Sequence, residues 1–373
     1  MKKSLLALAV LGAFAGAASA QSSVTLYGTV DLAGTYVKND GSSKRLSLTQ
    51  DGINSSQLGF RGIEDLGGGL KAGFNLLAGV NADTGTTNGK FFNRRSTVSL
   101  FSGAGELRLG RDYTPTFWNQ TIFDAFGTNG IGSSTGVRQL YAGTRQDNSI
   151  GYFLPSNIGG FYGQAMVGAA EGGTSGDRPA RYVGGRIGFA AGPFDVSGAY
   201  SSERMGSTYA GYGTGSVGTG NGLQVVPVVA GDNQKTWNVG GSYDFGFLKL
   251  LGYYDHEATA NASEKLFSLS GVIPFGQSEV HLGYVRSKLD RSGIVAGSIT
   301  SGIPNLSSSK IDQFQATYQY NLSKRSAMYA TVARLDNKEA TRGTLGGVPS
   351  SASALPTANG NSTGFQLGVR HFF

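Results

Sequence analysis

The stretch Ser362 to Phe373, STGFQLGVRHFF, decides the fold of this chain. Successive side chains of a strand point to opposite faces, so alternate residues of the stretch share a face. One face is apolar with an aromatic at its end: Thr363, Phe365, Leu367, Val369, His371 and Phe373. The other face is mainly small or polar: Gly364, Gln366, Gly368, Arg370 and Phe372. Such a strand needs two different environments, and its apolar face could meet either a protein core or the lipid around a membrane barrel.

The same two-residue apolar period recurs along the whole chain. It is present in SSVTLYGTVDLAGTYV (22–37), in GLKAGFNLLAG (69–79) and in FLKLLGYYDHEA (247–258). No segment of comparable length has a helical period, and no change of composition marks a second domain. The pattern therefore predicts an all-β protein that forms one domain over residues 21–373.

The connections between these segments are predicted to be short and long in strict alternation. The short ones are 64–69, 102–105, 156–160, 191–194, 244–246, 274–277 and 321–324. The long ones are 40–51, 82–90, 112–146, 170–180, 205–234, 259–264, 290–310 and 337–361. Short turns at one rim and long loops at the other are typical of an outer-membrane barrel, and the count of segments predicts a 16-stranded antiparallel transmembrane β-barrel.

The predicted sheet must close on itself because lipid surrounds it. Lipid offers no hydrogen-bond partner to an unpaired backbone group, so only a sheet without edges can span the membrane. The first and last strands are therefore expected to pair, and a barrel of this size leaves an aqueous channel inside.

The N-terminus, MKKSLLALAVLGAFAGAASA, is typical of a secretory signal peptide. Two lysines precede an apolar run from Leu5 to about Ala15, and Ala18, Ser19 and Ala20 form a small-residue cleavage pattern. The run is too short for a spanning helix, which takes about 20 residues. Residues 1–20 are therefore predicted to be removed on export.

Composition excludes several classes of function. The chain has no cysteine, and no two of its three histidines have the spacing of a zinc motif, so neither a thiolate metal site nor a histidine-based catalytic triad is expected. The net charge of +7, of which Lys2 and Lys3 of the leader supply two, is not clustered as in a nucleic-acid-binding protein. Glycine is abundant, 60 of 373 residues, without a collagen period, which fits strands that bend in a barrel wall. No enzymatic activity, cofactor or metal is predicted.

Seven motifs together resemble one known family. They are SSVTLYGTVD (22–31), LGFRGIEDLGGGLKAGF (58–74), FNRRSTVSL (92–100), LRLGRD (107–112), DNSIGYFLP (147–155), YNLSKRSAMYA (320–330) and GVRHFF (368–373). The chain resembles the Gram-negative general porins of beta-proteobacteria, in particular the anion-selective porins of the Comamonas and Acidovorax group. The resemblance implies a homotrimer of 16-stranded barrels in the outer membrane, with the third loop of each folded into its own pore.

The predicted third loop, 112–146, fits that constriction loop by its position and by four internal aromatics: Phe117, Trp118, Phe123 and Phe126. By resemblance, Asp124 is the acidic residue of the loop, and Arg94 and Arg145 are arginines of the facing wall. Parity with Thr97 and Ser99 favours Arg95 instead of Arg94 as the residue that faces the lumen. Strand ends near a constriction often carry bulges, which shift the parity of the strand and favour Arg94.

Further charges along the path are expected at Arg111, Arg138 and Lys71. Two positions depart from the family. Gln57 stands where the family usually has arginine, and Leu77 where similar sequences have glutamate. Since one cation and one acid are missing, we expect a less polarised constriction and a mild preference for anions.

The predicted function is an outer-membrane diffusion channel for small hydrophilic solutes and ions. The expected partners are two further copies of the chain, outer-membrane lipids and lipopolysaccharide, small anionic or neutral solutes and, by resemblance, the barrel-assembly machinery acting on Phe373. Nucleic acid is not expected. The alternatives are a substrate-preferring channel and a non-conducting barrel or adhesin.

Overall fold

The computed structural model of the chain describes residues 23–87, 89–140, 143–169, 182–204, 232–291, 308–346 and 354–373. The predicted signal peptide, 1–20, lies outside these ranges. The strands are β1 Ser23–Asn39, β2 Lys44–Gln50, β3 Gln57–Gly67, β4 Leu70–Asn81, β5 Thr86–Thr87, β6 Arg95–Ser102, β7 Gly105–Tyr113, β8 Arg145–Phe153, β9 Phe161–Gly168, β10 Tyr182–Ala191, β11 Phe194–Arg204, β12 Asn233–Asp244, β13 Lys249–Ala258, β14 Ala262–Phe275, β15 Ser278–Arg291, β16 Ser308–Asn321, β17 Ser326–Lys338 and β18 Ser362–Phe372. One α-helix, α1, spans Pro115–Ile122, and a 3₁₀ turn spans Ser134–Val137.

The sheet closes on itself through β1 and β18. The two strands are antiparallel, with Thr29 opposite Phe372 and Asn39 opposite Ser362. Phe373 extends the ladder by one residue, because its backbone N–H and C=O both bond to Gly28, each at 3.1 Å. The C-terminal stretch therefore removes the last edge of the sheet, as the sequence predicts.

The wall has sixteen strands, which confirms the predicted barrel. The second wall strand is interrupted: β2 pairs with the loop-side half of β1 and β3 with its other half, while residues 51–56 lie between them. The two-residue β5 pairs only with β4, outside the main sheet.

Two predicted long loops are wrong in extent. Within 40–51, residues Lys44–Gln50 form a strand, because Leu46 and Leu48 continue the apolar period. Within 259–264, β14 already begins at Ala262. The connections 40–43 and 259–261 are therefore both short, and the strict alternation of short and long loops fails at both.

The burial pattern of the wall is the reverse of that in a soluble sheet. On β18, Phe365, Leu367 and Val369 are about half exposed, whereas Gln366 and Arg370 are buried. The same inversion is present on the other strands, for example on β12, where Trp237 and Val239 are exposed and Asn238 is buried. An outer apolar face and an inner polar face are the arrangement of a barrel in lipid.

The third connection, from Tyr113 to Arg145, contacts the inner, polar face of the wall. The side chain of Asn119 donates to the carbonyl of Ser197 at 3.1 Å, and that of Gln120 donates to Asp255 at 2.7 Å. No helix in the described ranges is long and apolar enough to cross a membrane. The hydrophobic core lies between this connection and the wall, and its buried members are Val37, Phe123, Ile131, Val137, Tyr253, Leu266, Val285, Ile311, Ala333, Leu335 and Leu345.

Gly240 of β12 makes room for this packing. A Cβ at Gly240 would lie 2.3 Å from Cδ2 of Phe123, far inside the contact distance. Phe123 itself has no exposed surface. The absence of a side chain on the wall therefore lets the loop aromatic reach the inner face.

Candidate functional site

Two arginines converge on one tyrosine at the inner wall. Arg94, in the turn before β6, donates from Nε to Tyr113 Oη at 3.1 Å, and Arg145, at the start of β8, donates from Nη2 to the same oxygen at 3.3 Å. The Arg145 guanidinium also lies 4.6 Å from the centroid of the Tyr113 ring. Neither arginine forms an ion pair with a carboxylate in the described part of the chain. Their positive charge is therefore directed at the space inside the barrel.

That space is a polar recess of about 230 Å³. Its lining residues are Gln50, Asp51, Ser56, Gly79, Val80, Asn81, Asn93, Arg94, Arg111 and Arg145. Arg111 differs from the other two arginines, since it donates to Asp147 at 2.5 Å and to the Asn93 carbonyl at 2.7 Å. The structure thus brings together three of the predicted arginines, and one of these carries a counter-ion.

Arg95 lies on the inner face as parity predicts, but it is neutralised. It begins β6 on the face of the buried Thr97 and Ser99, and its Nε donates to Asp112 at 2.7 Å. Asp112 also accepts a bond from Arg108. The two sequence assignments are therefore compatible: Arg94 precedes the regular strand and reaches the recess, while Arg95 belongs to an ion-pair cluster of the wall.

An acid at the recess was missed by sequence reasoning. Asp51 lies in the break between β2 and β3, with a positive φ of 62°, and accepts the backbone N–H of Ser56 at 2.6 Å. The dipeptide Asp51-Gly52 is a turn signal that could have predicted this break. The break is held inward by Asp31, whose carboxylate accepts the N–H groups of Ile53 and Asn54 at 2.9 and 2.8 Å.

Asp51 and Gln50 also line a second recess, of about 320 Å³, so the two spaces adjoin. The far side of this second recess is formed by the third connection, including Thr128, Asn129 and Gly130. The adjoining recesses thus lie between the arginine wall and the folded-in connection.

Asp124 is not brought together with the wall arginines. It is 5% exposed and organises the connection from within: its carboxylate accepts Ser134 Oγ at 2.6 Å and the N–H groups of Phe126 and Thr128 at 2.9 and 3.2 Å. Burial raises the pKa of Asp124 above its ordinary value, although the bond from Ser134 acts in the opposite direction.

Arg138 anchors the connection to the wall. Its Nη2 lies 3.3 Å from Asp255 Oδ2 and 3.1 Å from Glu257 Oε1, and both acids are almost fully buried. Burial by itself lowers the pKa of Arg138, but Glu257 and then Asp255 outweigh it and the pKa rises. Arg138 is therefore a buried, paired cation and does not line either recess.

Of the three remaining predicted positions, Gln57 and Leu77 lie next to residues that line the recess, and Lys71 does not. Gln57 begins β3 on the inner face, paired with Thr29 and with Gly79, which lines the recess. Leu77 is buried, and its carbonyl accepts the N–H of Arg94 at 3.1 Å. Lys71 is exposed near the turn at the other end of β4 and does not line the arginine recess.

A closed barrel with an apolar outer face, a polar inner face and a charged inner passage defines an outer-membrane channel. Within the described ranges, no group of three or more metal-ligating side chains is found. The family model of the Gram-negative porins matches residues 7–340, and the chain belongs to that family. The protein is thus an outer-membrane diffusion channel, and the fold and family are those of channels and not of enzymes.

Individual relatives agree with this assignment. Outer membrane porin protein 32 of Delftia acidovorans is 38% identical over 391 aligned positions that cover 100% of both chains. An outer membrane porin protein of Bordetella pertussis is 31% identical, over 88% of this chain and 93% of its own. Among solved structures, the anion-selective porin from Comamonas acidovorans has a TM-score of 0.76 and 34% identity, and the match covers 95% of this chain and 100% of that one.

Proposed function

We propose that the channel passes small hydrophilic solutes and ions with a mild preference for anions, set mainly by Arg94 and Arg145. One observation carries the proposal: these two arginines line the polar recess and have no carboxylate partner in the described part of the chain. Fixed positive charge beside a narrow aqueous path favours anions. The low-dielectric wall strengthens the field at such a site.

Three features keep the preference mild. Asp51 lines the same recess with the opposite charge, and Asp147, which also pairs with Lys90, offsets part of the charge of Arg111. At Gln57 the family arginine is absent. The anion-selective Comamonas relative supports the sign of the preference.

The neighbouring arginines provide a matched test. Arg94→Gln and Arg95→Gln remove the same charge one residue apart, but only Arg94 lines the recess. A unit charge about 4 Å away contributes about 1 kcal/mol in water, so Arg94→Gln should lower the chloride-to-potassium permeability ratio by up to about fivefold. Arg95→Gln should change it much less. Reversal potentials across planar bilayers in a KCl gradient measure both.

Cation selectivity of the wild type, or a larger effect at Arg95 than at Arg94, would contradict the proposal. We further propose the homotrimer that the family resemblance implies, and the same recordings should then show conductance steps in groups of three. A barrel that does not conduct would favour the adhesin alternative.

A further inference from the structure

Four lysines form a row across the outer face of the barrel. Lys265 of β14 is opposite Lys288 of β15, Lys288 is opposite Lys310 of β16, and Lys310 is opposite Lys338 of β17. Each lysine is exposed or half-exposed, whereas its neighbours along the strand on the inner face, such as Leu266, Leu289 and Ile311, are buried. The row crosses four adjacent strands and therefore spans about 14 Å.

Like charges at directly opposite positions of a sheet repel each other. The carboxylates on this face offset the repulsion only in part: Lys288 pairs with Asp290 at 3.1 Å and Lys338 with Asp312 at 2.7 Å. Within the described ranges, Lys265 and Lys310 form no ion pair.

Two arginines on the same face lie closer to the middle of the wall: Arg286 is one outward-facing position from Lys288, and Arg334 is two such positions from Lys338. Arg286 bonds to Asp312 at 2.6 Å and Arg334 to Asp336 at 2.8 Å. The face thus carries six cations against the three acids Asp290, Asp312 and Asp336. An excess of positive charge remains on it.

The row has a fixed position relative to the membrane. It lies at the rim of the long connections, since β15 ends at Arg291, β16 begins at Ser308 and β17 ends at Lys338. That rim of an outer-membrane barrel faces the cell exterior. Toward the middle of the wall the outer face becomes apolar and exposed, with Phe267 opposite Arg286, Phe314 opposite Arg334 and then Val332.

We propose that this lysine row binds the phosphate groups of lipopolysaccharide in the outer leaflet. A phosphorylated lipid headgroup is held by its acyl chains at the level where the apolar belt ends, which is where the lysines lie. Ammonium groups are effective phosphate binders because each is a compact point charge with three donors. The width of the row allows it to contact more than one phosphate of the same headgroup.

The test compares two charge-matched variants of the full-length mature channel in detergent micelles. K265Q/K310Q removes the two lysines that form no ion pair in the described structure, so the variant keeps the salt bridges of Lys288 and Lys338. K249Q/K324Q removes two lysines at the opposite rim, neither of which forms an ion pair in the described structure. Binding of diphosphoryl lipid A and of its dephosphorylated form is measured by native mass spectrometry and by titration.

Each lysine near a lipid surface contributes about fivefold to affinity, so K265Q/K310Q should bind diphosphoryl lipid A roughly 30-fold more weakly and K310Q alone about fivefold more weakly. K249Q/K324Q should bind as the wild type does, and the dephosphorylated lipid should not distinguish the variants.

Equal weakening in both double variants, or none in either, would overturn the proposal. So would displacement of the lipid by inorganic phosphate at the same phosphate concentration, because the row would then be a general anion site. Channel conductance should be unchanged in K265Q/K310Q, which separates this result from the proposed selectivity.

Discussion

Replacing Arg138 by methionine should release the third connection from the barrel wall. Methionine replaces the aliphatic stem of arginine but has no guanidinium, so the main change is the loss of the positive charge between Asp255 and Glu257. These two acids are 2% and 0% exposed, and Glu257 would keep a bond of 3.4 Å from Gln234. Removing one partner of a buried ion pair leaves an uncompensated charge and costs about 3–5 kcal/mol. The free energy for detaching the connection should fall by about that amount.

The chain offers a direct probe of this change. Its two tryptophans are Trp118, in α1 of the connection, and Trp237, on the outer face. In a Trp237→Phe background, the fluorescence of Trp118 during urea titration reports the docking of the connection. Open-channel noise should rise in Arg138→Met for the same reason.

Two controls make the result specific. Arg334→Met breaks an ion pair whose arginine is 55% exposed, and such surface pairs contribute about 0–1 kcal/mol. The triple variant R138M/D255N/E257Q removes the buried charges as well, and it should regain most of the lost stability. If Arg138→Met had the urea midpoint of the wild type, or if the triple variant were no more stable than the single one, the reasoning would be refuted.

Two further predictions concern the recess and the core. Asp51→Asn keeps the acceptor for the Ser56 N–H but removes the acid beside Arg94. The chloride preference measured by reversal potential should therefore increase, and a decrease would show that Asp51 does not face the permeant ions. Phe123→Ala should lower the free energy of unfolding by about 3–5 kcal/mol, because Phe123 is fully buried against the wall. As a control, Phe314→Ala on the lipid face should leave the docking signal of Trp118 unchanged.

The wall of the barrel could be predicted from local sequence. The two-residue period along 362–373 is a property of neighbouring residues, and it assigns each side chain to a face without knowledge of the partner strand. The same period is present in Lys44–Gln50, although these residues fall within the predicted loop 40–51. The pairing of β1 with β18 followed from the requirement that no edge meet lipid.

The candidate site was predicted only in part, because it depends on contacts between distant segments. Sequence placed Arg94, Arg111 and Arg145 among the candidates, but it did not show that, of these three, Arg111 alone has a carboxylate partner in the described structure, Asp147. It also gave Asp124 the role of the facing acid, whereas the acid that lines the recess is Asp51. Which charges are paired is set by the folded connection and by the break in the second wall strand, and neither has a local signature strong enough to fix distances.

The sequence by itself therefore determined the solvent on each side of the wall, since alternation of side chains is a local rule of strand geometry. Only the tertiary structure decided which charges inside the barrel remain uncompensated. An ion pair forms when two side chains far apart in the chain come within a few ångströms, and the register of the closed sheet is what brings them there.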